Sequence, residues 1–390
     1  MPPPPLPDPL LEALMDRALA LATRGAGHVS PNPLVGAVLA GPDGTVWGEG
    51  WHGAWGGPHA EVWAVRDAER RGFGDRLAEA TAVVTLEPCS HTGKTPPCAD
   101  LLVARGVRRV VVALRDPHPR VSGRGLARLR HAGAEIVLGV RAAAAYRLAE
   151  AFFHHIATGR PLVTLKWAQT LDGQVATASG DSRWVSSEAS RARVHAWRAT
   201  LDAVLVGAGT ARSDDPALTV RLAEGRQPLR VVLDRTGTLP PTLRLFTDVH
   251  AARTLAVVGP EARPAYAGAL TAAGGALLRV PVREGHLDLT ALFVRLGAGE
   301  GLPEGQRPVQ SVLAEAGPGL ATALLRAGFA DRLAAFVAPR LAGAGTPATA
   351  DLGVTRMAAA HAFAAHTWEA IGPDMLFTGY AHAVPVHLHT

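Results

Sequence analysis

The chain has 390 residues, 48% of them hydrophobic, which is enough apolar material for real cores and too long for one average domain. Its net charge of +5 is spread without a run of five Lys or Arg, so it describes a slightly basic surface open to anionic small molecules or nucleic acid. Two cysteines exclude a disulfide framework and suit a metal or catalytic pair in a reducing compartment, and no stretch of about 18 uninterrupted apolar residues is present to cross a membrane. No secretory signal pattern opens the sequence, and the cytoplasm is the expected location.

The proline-rich start, residues 1–9, reads as a disordered tail. Leu10 to Arg24 has helical spacing, with Leu11, Leu14, Ala18 and Leu21 on one stripe. Ser30-Pro31-Asn32-Pro33 is a turn, Leu34 to Leu39 a buried strand, and Val46 to Trp51 its hairpin partner. A helix starts at Pro58 and runs to about Arg71. Strands at Ala82–Leu86, Arg109–Leu114 and Ile136–Val140 then alternate with helices at Cys98–Arg105 and Arg124–Ala132. This order implies a parallel or mixed sheet with helices on both faces. An Ala-rich helix from Val140 to Ile156 leads to a boundary at Gly159-Arg160-Pro161.

The second half alternates again. Strands are expected at Leu162–Lys166, Ala203–Val206, Arg230–Leu233, Leu255–Val258, Leu277–Val280, Val312–Glu315 and Leu333–Val337, with a last one at Asp374–Tyr380. Helices are expected at Ser187–Trp197, Leu287–Leu296 and Gly319–Ala327, and Gly343 to Pro347 reads as a flexible loop. The assignment is a first domain over 10–157 and a second over 158–390, both α/β.

Chemistry concentrates in the first half. Pro58-His59-Ala60-Glu61 and Glu87-Pro88-Cys89 through Pro96-Pro97-Cys98 together offer one imidazole, two thiols and a carboxylate. Three protein ligands, His59, Cys89 and Cys98, leave a fourth zinc position for water, the catalytic pattern. Glu61 lies two residues after His59, roughly 200° around a helix, so the two converge only at the helix end. There Glu61 is placed to shuttle a proton from water to a leaving amine. The general zinc-deaminase pattern is H-x-E with P-C-x-x-C; here eight residues separate the cysteines. A structural zinc site completed by His91 or His52, and two merely buried cysteines, are the competing readings.

These motifs, with Ser30-Pro31-Asn32-Pro33-Leu34-Val35-Gly36, resemble the bifunctional riboflavin-biosynthesis family RibD, in which the wide cysteine gap is a family feature. The resemblance implies a cytidine-deaminase-like three-layer domain that removes an amino group from a diaminopyrimidine ribosylamino phosphate. It also implies substrate contacts at Asn32, His52 and Lys94. Asp116-Pro117-His118-Pro119 departs from the family's usual Asp-Pro-Asn-Pro.

In the second half, Gly207-Ala208-Gly209 and Gly317-Pro318-Gly319 are near-misses to a dinucleotide fingerprint; the second opens a helix whose N-terminus favours an anion. The resemblance continues through Leu165 to Gly173, Gly180 to Trp184, Asp214 to Arg221 and Glu315 to Pro318. It implies a dihydrofolate-reductase-like α/β domain that uses NADPH to convert the ribosylamino group to ribitylamino. By position it places Ala168, Trp184, Thr210, Asp214, Gly317, Pro318 and Gly319 at the cofactor. Ser182, Arg198, Leu218, Arg221 and Glu315 fall at the substrate. The whole reads as a two-step enzyme with zinc and NADPH, small phosphorylated pyrimidine substrates, no nucleic acid or membrane partner, and a homo-oligomeric state. A nucleic-acid-editing deaminase is the rival class; no basic cluster or aromatic RNA-binding platform supports it.

Overall fold

The computed structural model describes residues 5–90, 96–119, 121–262, 268 and 270–389. Two compact units divide the chain: one up to Thr158, rejoined by the chain from Val384 on, and one from Gly159 to Ala383.

The first unit is built on a five-stranded sheet. Its strands are β1 (Gly36–Ala40), β2 (Val46–Trp51), β3 (Thr81–Val84), β4 (Arg109–Val112) and β5 (Glu135–Leu138), in the order β2-β1-β3-β4-β5. β1 runs antiparallel to both β2 and β3, and β3, β4 and β5 are parallel. Strand side chains alternate between faces. Val38, Val83 and Val111 face helices α1 (Asp8–Ala22) and α5 (Ala142–Thr158), through Met15, Ala18, Tyr146 and Phe153. Leu39, Val84 and Val110 face α2 (Ala60–Arg70), α3 (Cys98–Ala104) and α4 (Arg124–His131), through Ala64, Leu102 and Leu126. This is the expected three-layer arrangement.

One lane brings the functional helix close. Side chains added at Gly48 and Gly50 of β2 would lie 2.3 Å from the Ala64 carbonyl oxygen and 2.5 Å from that of Ala60. Small residues on both sides therefore let α2 pack backbone to backbone on β2, which fixes its first turn.

The second unit carries a nine-stranded sheet. In chain order its strands are β6 (Leu162–Thr170), β8 (Ala203–Gly207), β9 (Leu229–Leu233), β10 (Thr254–Val258), β11 (Ala276–Arg279), β14 (Ser311–Glu315), β15 (Arg332–Ala338), β17 (Ala365–Ile371) and β18 (Asp374–Tyr380). Two ribbons lie outside it: β7 (Gln174–Thr177) with β16 (Gly345–Pro347), and β12 (Val282–Arg283) with β13 (His286–Leu287). The order is β11-β10-β9-β8-β14-β6-β15-β18-β17, with β18 antiparallel to both its neighbours, β15 and β17, and every other pairing parallel. Helices α6 (Glu188–Thr200) and α7 (Ala208–Asp214) pack on one face, and Leu289–Ala298 and Pro318–Arg326 on the other. β14 returns between β8 and β6, so the chain reverses direction across the sheet there. Ligands of open α/β sheets bind beyond the strand C-termini at such a reversal.

Four expectations need correction. Within the proposed tail, Leu6 is buried against α1 and the helix begins at Asp8, because that leucine completes the apolar face; residues 1–4 lie outside the described region. The loop at Gly343 to Pro347 contains a strand paired to β7. The closing residues do not belong to the second unit: Leu388 is buried in the first, where its carbonyl accepts the Arg115 N–H at 2.8 Å. Strand β17 is additional to those expected; all its residues but Ile371 are exposed, so it lacks the alternation that marks a half-buried strand.

Candidate active sites

His59 occupies the N-cap of α2 in an extended conformation and makes no capping hydrogen bond with its side chain, which leaves the imidazole for another partner. Cys98 is the first residue of α3 and Cys89 lies beyond the end of β3. The Nδ1 of His59 is 3.5 Å from the Cys89 Sγ and 3.3 Å from the Cys98 Sγ, and the three ligand atoms lie within 4.8 Å of one another. Tetrahedral zinc with ordinary Zn–N and Zn–S bonds sets such a pair about 3.6 Å apart, so the donor set fits zinc in both chemistry and spacing. The Cys98 N–H donates to the Cys89 sulfur at 3.3 Å. The Cys98 side chain, then that backbone N–H and His59, hold the Cys89 thiol down at about 4 against the opposing effect of burial, so a thiolate is favoured there.

Glu61, in the first turn of α2, is buried and hydrogen-bonded to Cys98. Burial, reinforced by the Cys89 sulfur, raises its pKa above the carboxylate range, as a proton carrier requires. His59 and Glu61 do converge at the helix end.

Both open onto a cavity of about 390 Å³ that is also lined by Asn32, His52, Trp55, Asp116, His118 and Phe152. The Asn32 amide donates to His52 Nε2 at 3.0 Å, and His52 Nδ1–H donates to the Pro58 carbonyl at 3.1 Å. That chain sets the neutral tautomer of His52, and burial lowers its pKa in the same sense. Burial also pushes the Asp116 carboxyl up to about 6, its His118 backbone bond only partly offsetting this. Lys94 lies outside the described residues.

Sequence reasoning missed Glu87. It is 4% exposed and accepts four backbone N–H groups, from Asp116, Gly123, Gly125 and Leu126, at 2.9–3.2 Å. It thus ties the Cys89 segment to the turn that carries Asp116 and His118. Gly125 allows the approach, since a side chain there would meet the Pro88 carbonyl at 2.0 Å.

In the second unit the nominated residues gather at strand C-termini. Ala168 lies near the end of β6, Glu315 ends β14, and Gly317 caps the helix Pro318–Arg326. A side chain at Gly317 would stand 3.1 Å from Thr210 Oγ1 in α7, so these two nominated cofactor positions adjoin. The Arg183 guanidinium donates to the Asp214 carbonyl at 3.1 Å, and Arg191 stacks 4.5 Å over the Trp184 ring, which is 60% exposed. Ser182 lies in the same loop, and its carbonyl accepts the Val185 N–H at 3.3 Å.

Arg198 and Glu315 form a two-pronged ion pair, Nε to Oε1 at 2.6 Å and Nη2 to Oε2 at 2.8 Å. The third prong of Arg198 donates to the Thr219 carbonyl at 3.0 Å. The Arg198 fork is thus spent on Glu315, whereas among the described residues the side chain of the exposed Arg221 donates only to Thr219 Oγ1, at 2.7 Å. Burial alone would raise the Glu315 pKa, but Arg198 and then Lys166 outweigh it and hold the carboxylate down at about 2. Lys166 was also missed: it sits on β6 beside Glu315, and burial lowers its pKa. A lysine ending the apolar run Leu162–Leu165 is the signal that would have flagged it.

The match to protein families follows this division. Residues 9–114 match the cytidine and deoxycytidylate deaminase zinc-binding region, and residues 161–377 match the RibD C-terminal domain. The Escherichia coli riboflavin biosynthesis protein RibD is 40% identical over 381 residues, covering 93% of this chain and 97% of that protein.

The chain belongs to the RibD family.

RibD of Mycobacterium tuberculosis is 39% identical over 374 residues, covering 93% of this chain and 96% of the relative. The solved RibD of Acinetobacter baumannii superposes with a TM-score of 0.82 at 35% identity, covering 97% of this chain and all of that one. A Thermotoga maritima structure described as a diaminohydroxyphosphoribosylaminopyrimidine deaminase/5-amino-6-(5-phosphoribosylamino)uracil reductase gives 0.80 at 34%, covering 96% and 99%. The protein is a bifunctional deaminase and reductase of riboflavin biosynthesis with a zinc-binding deaminase domain and an NADPH-dependent RibD reductase domain. Among the described residues no helix is long and apolar enough to cross a membrane.

Proposed function

We propose that the first unit deaminates diaminohydroxyphosphoribosylaminopyrimidine and that the second reduces the resulting 5-amino-6-(5-phosphoribosylamino)uracil to its ribitylamino form, the substrates named for the Thermotoga relative. The observation that carries this reading is the His59–Cys89–Cys98 cluster with buried Glu61 at one end of a cavity sized for a small heterocycle. Zinc supplies Lewis acidity that lowers the pKa of a water from about 16 towards about 7. Glu61 takes that water's proton and returns it to the leaving amine, while Asn32 and His52, locked to one another, present a fixed polar wall to the ring. Lys94 serves as a further substrate contact by its place in the motif.

In the reductase, Ala168, Trp184, Thr210, Asp214 and the Gly317-Pro318-Gly319 turn hold NADPH, which supplies the hydride. The start of the helix Pro318–Arg326 suits a cofactor phosphate. Ser182, Leu218, Arg221 and the Arg198–Glu315 pair face the ribosylamino phosphate, with Arg221 nearest in character to a phosphate ligand. Ligating thiols favour the reducing cytoplasm. The exposed edge strand β17 favours a homo-oligomer, because an unpaired edge is a template for a second copy.

The test follows ammonia and NADPH separately with the purified protein. Ammonia should appear without NADPH, and NADPH oxidation should require the deaminated compound. Glu61→Gln should keep about one zinc per chain and lose about a hundred- to ten-thousand-fold in ammonia release. Persistent ammonia release by that variant would place the proton transfer elsewhere, and oxidation of NADPH by the undeaminated diamino compound would reverse the order of steps.

A further inference from the structure

The segment Leu218–Arg221 belongs to no helix or strand, yet it carries two of the nominated substrate contacts. Leu218 is 2% exposed and holds a φ of +52°, a region costly for a leucine unless its surroundings enforce it. The enforcement is visible in the next three residues, whose main-chain polar groups are met by side chains rather than by a neighbouring strand. Arg198 donates to the Thr219 carbonyl at 3.0 Å. The Gln227 amide accepts from the Val220 N–H at 2.7 Å and donates to the Val220 carbonyl at 3.1 Å. The Nδ1 of His195 accepts the Arg221 N–H at 3.0 Å.

We propose that His195 and Gln227 are positioning residues of the reductase, a two-part splint that fixes the main chain at Val220 and Arg221 so that the Arg221 guanidinium is aimed at the substrate phosphate. This rests on the reading of Arg221 as a substrate contact. The geometry of each bond is specific. Only a side chain with both an acceptor and a donor satisfies Val220 on both sides, as the glutamine amide does. Only a neutral imidazole accepts at Nδ1, and His195 is buried beside two guanidinium groups, conditions that keep it neutral. Among the described residues the Arg221 guanidinium makes one hydrogen bond, to Thr219 Oγ1, so its charge is available on a backbone that does not drift. Orientation of this kind lowers the ordering cost at binding, which appears in KM more than in the chemical step.

The test is steady-state kinetics of NADPH oxidation on the phosphoribosylaminouracil. Arg221→Met should raise its KM by more than about tenfold, the loss of a charged hydrogen bond. His195→Gln and Gln227→Met should each raise that KM about three- to tenfold, with kcat within about twofold and the KM for NADPH unchanged. His195→Asn, whose carbonyl oxygen falls where Nδ1 stands, should restore the wild-type KM. Adding His195→Gln to Arg221→Met should raise KM no further. Wild-type KM in Arg221→Met would remove the substrate reading itself. A raised KM in Arg221→Met with an unchanged one in His195→Gln and Gln227→Met would overturn the splint alone. So would a failure of His195→Asn to recover, or equal losses in KM and kcat.

Discussion

At the scale of single residues, the second unit holds a buried charge cluster around Glu315 whose members set one another's protonation. His195 shows this most directly. Burial, then the charges of Arg198 and Arg221, lower its pKa from 6.5 to about 4. The unfolded chain therefore takes up that proton first as the pH falls. Stability from this group is full above about 6.5 and is lost as pH falls from about 6.5 to about 4. Urea midpoints of wild type and His195→Asn, which keeps an acceptor for the Arg221 N–H, should agree above that window, and the wild type should fall below the variant as pH drops through it. A constant difference would mean that His195 titrates normally in the fold. Glu315 adds a second loss in more acid solution, between its ordinary 4.5 and about 2. Residues of the two sites differ in how legible they are. His59, Glu61, Cys89 and Cys98 could be read from sequence because both cysteines sit in one motif and the ligand chemistry is narrow. Lys166, Glu87 and His195 could not. Their roles depend on partners 149, 29–39 and 26 positions away, as Glu315 to Lys166, the Glu87 amide contacts and the His195–Arg221 bond show.

At the scale of elements, the deaminase site depends on how closely α2 sits on β2. Gly50 lies against Ala60 and Trp63, next to the turn that holds His59 and Glu61. Gly50→Ala places a methyl 2.5 Å from the Ala60 carbonyl and must push the helix start outward. Overpacking of this kind costs about 1–3 kcal/mol. The expected result is a lower melting temperature together with weaker zinc retention on dialysis against a chelator. Gly72→Ala is the control. It has open space around it but a φ of +85°, so it should cost stability through backbone strain without loosening zinc. If both variants retain zinc as the wild type does, α2 is not held in place by this lane. The elements themselves were largely readable where burial imposes a period, as in the stripe of α1 and the apolar runs of β8, β10 and β14. They were unreadable where it does not. β17 is exposed along nearly its whole length, and β7 and β16 pair only with each other outside the main sheet.

At the scale of the whole molecule, each unit has its own cores and its own chemistry. The apolar clusters of the first unit draw on α1 to α5 and the five-stranded sheet, and those of the second on the nine-stranded sheet and its helices. The zinc ligands all lie in the first unit, and the nominated NADPH and ribosylamino contacts all lie in the second. Removal of zinc should therefore act on one reaction. Treatment with a strong chelator should abolish ammonia release and lower the unfolding temperature of the first unit, since zinc binds the folded state and stabilises it by mass action. Oxidation of NADPH with phosphoribosylaminouracil supplied directly should continue at the untreated rate. Readdition of zinc should restore ammonia release, and calorimetry should show the first transition returning to its original temperature. Parallel loss of both activities on chelation would show that the reductase also needs the metal, and the assignment of one cofactor to each unit would fail.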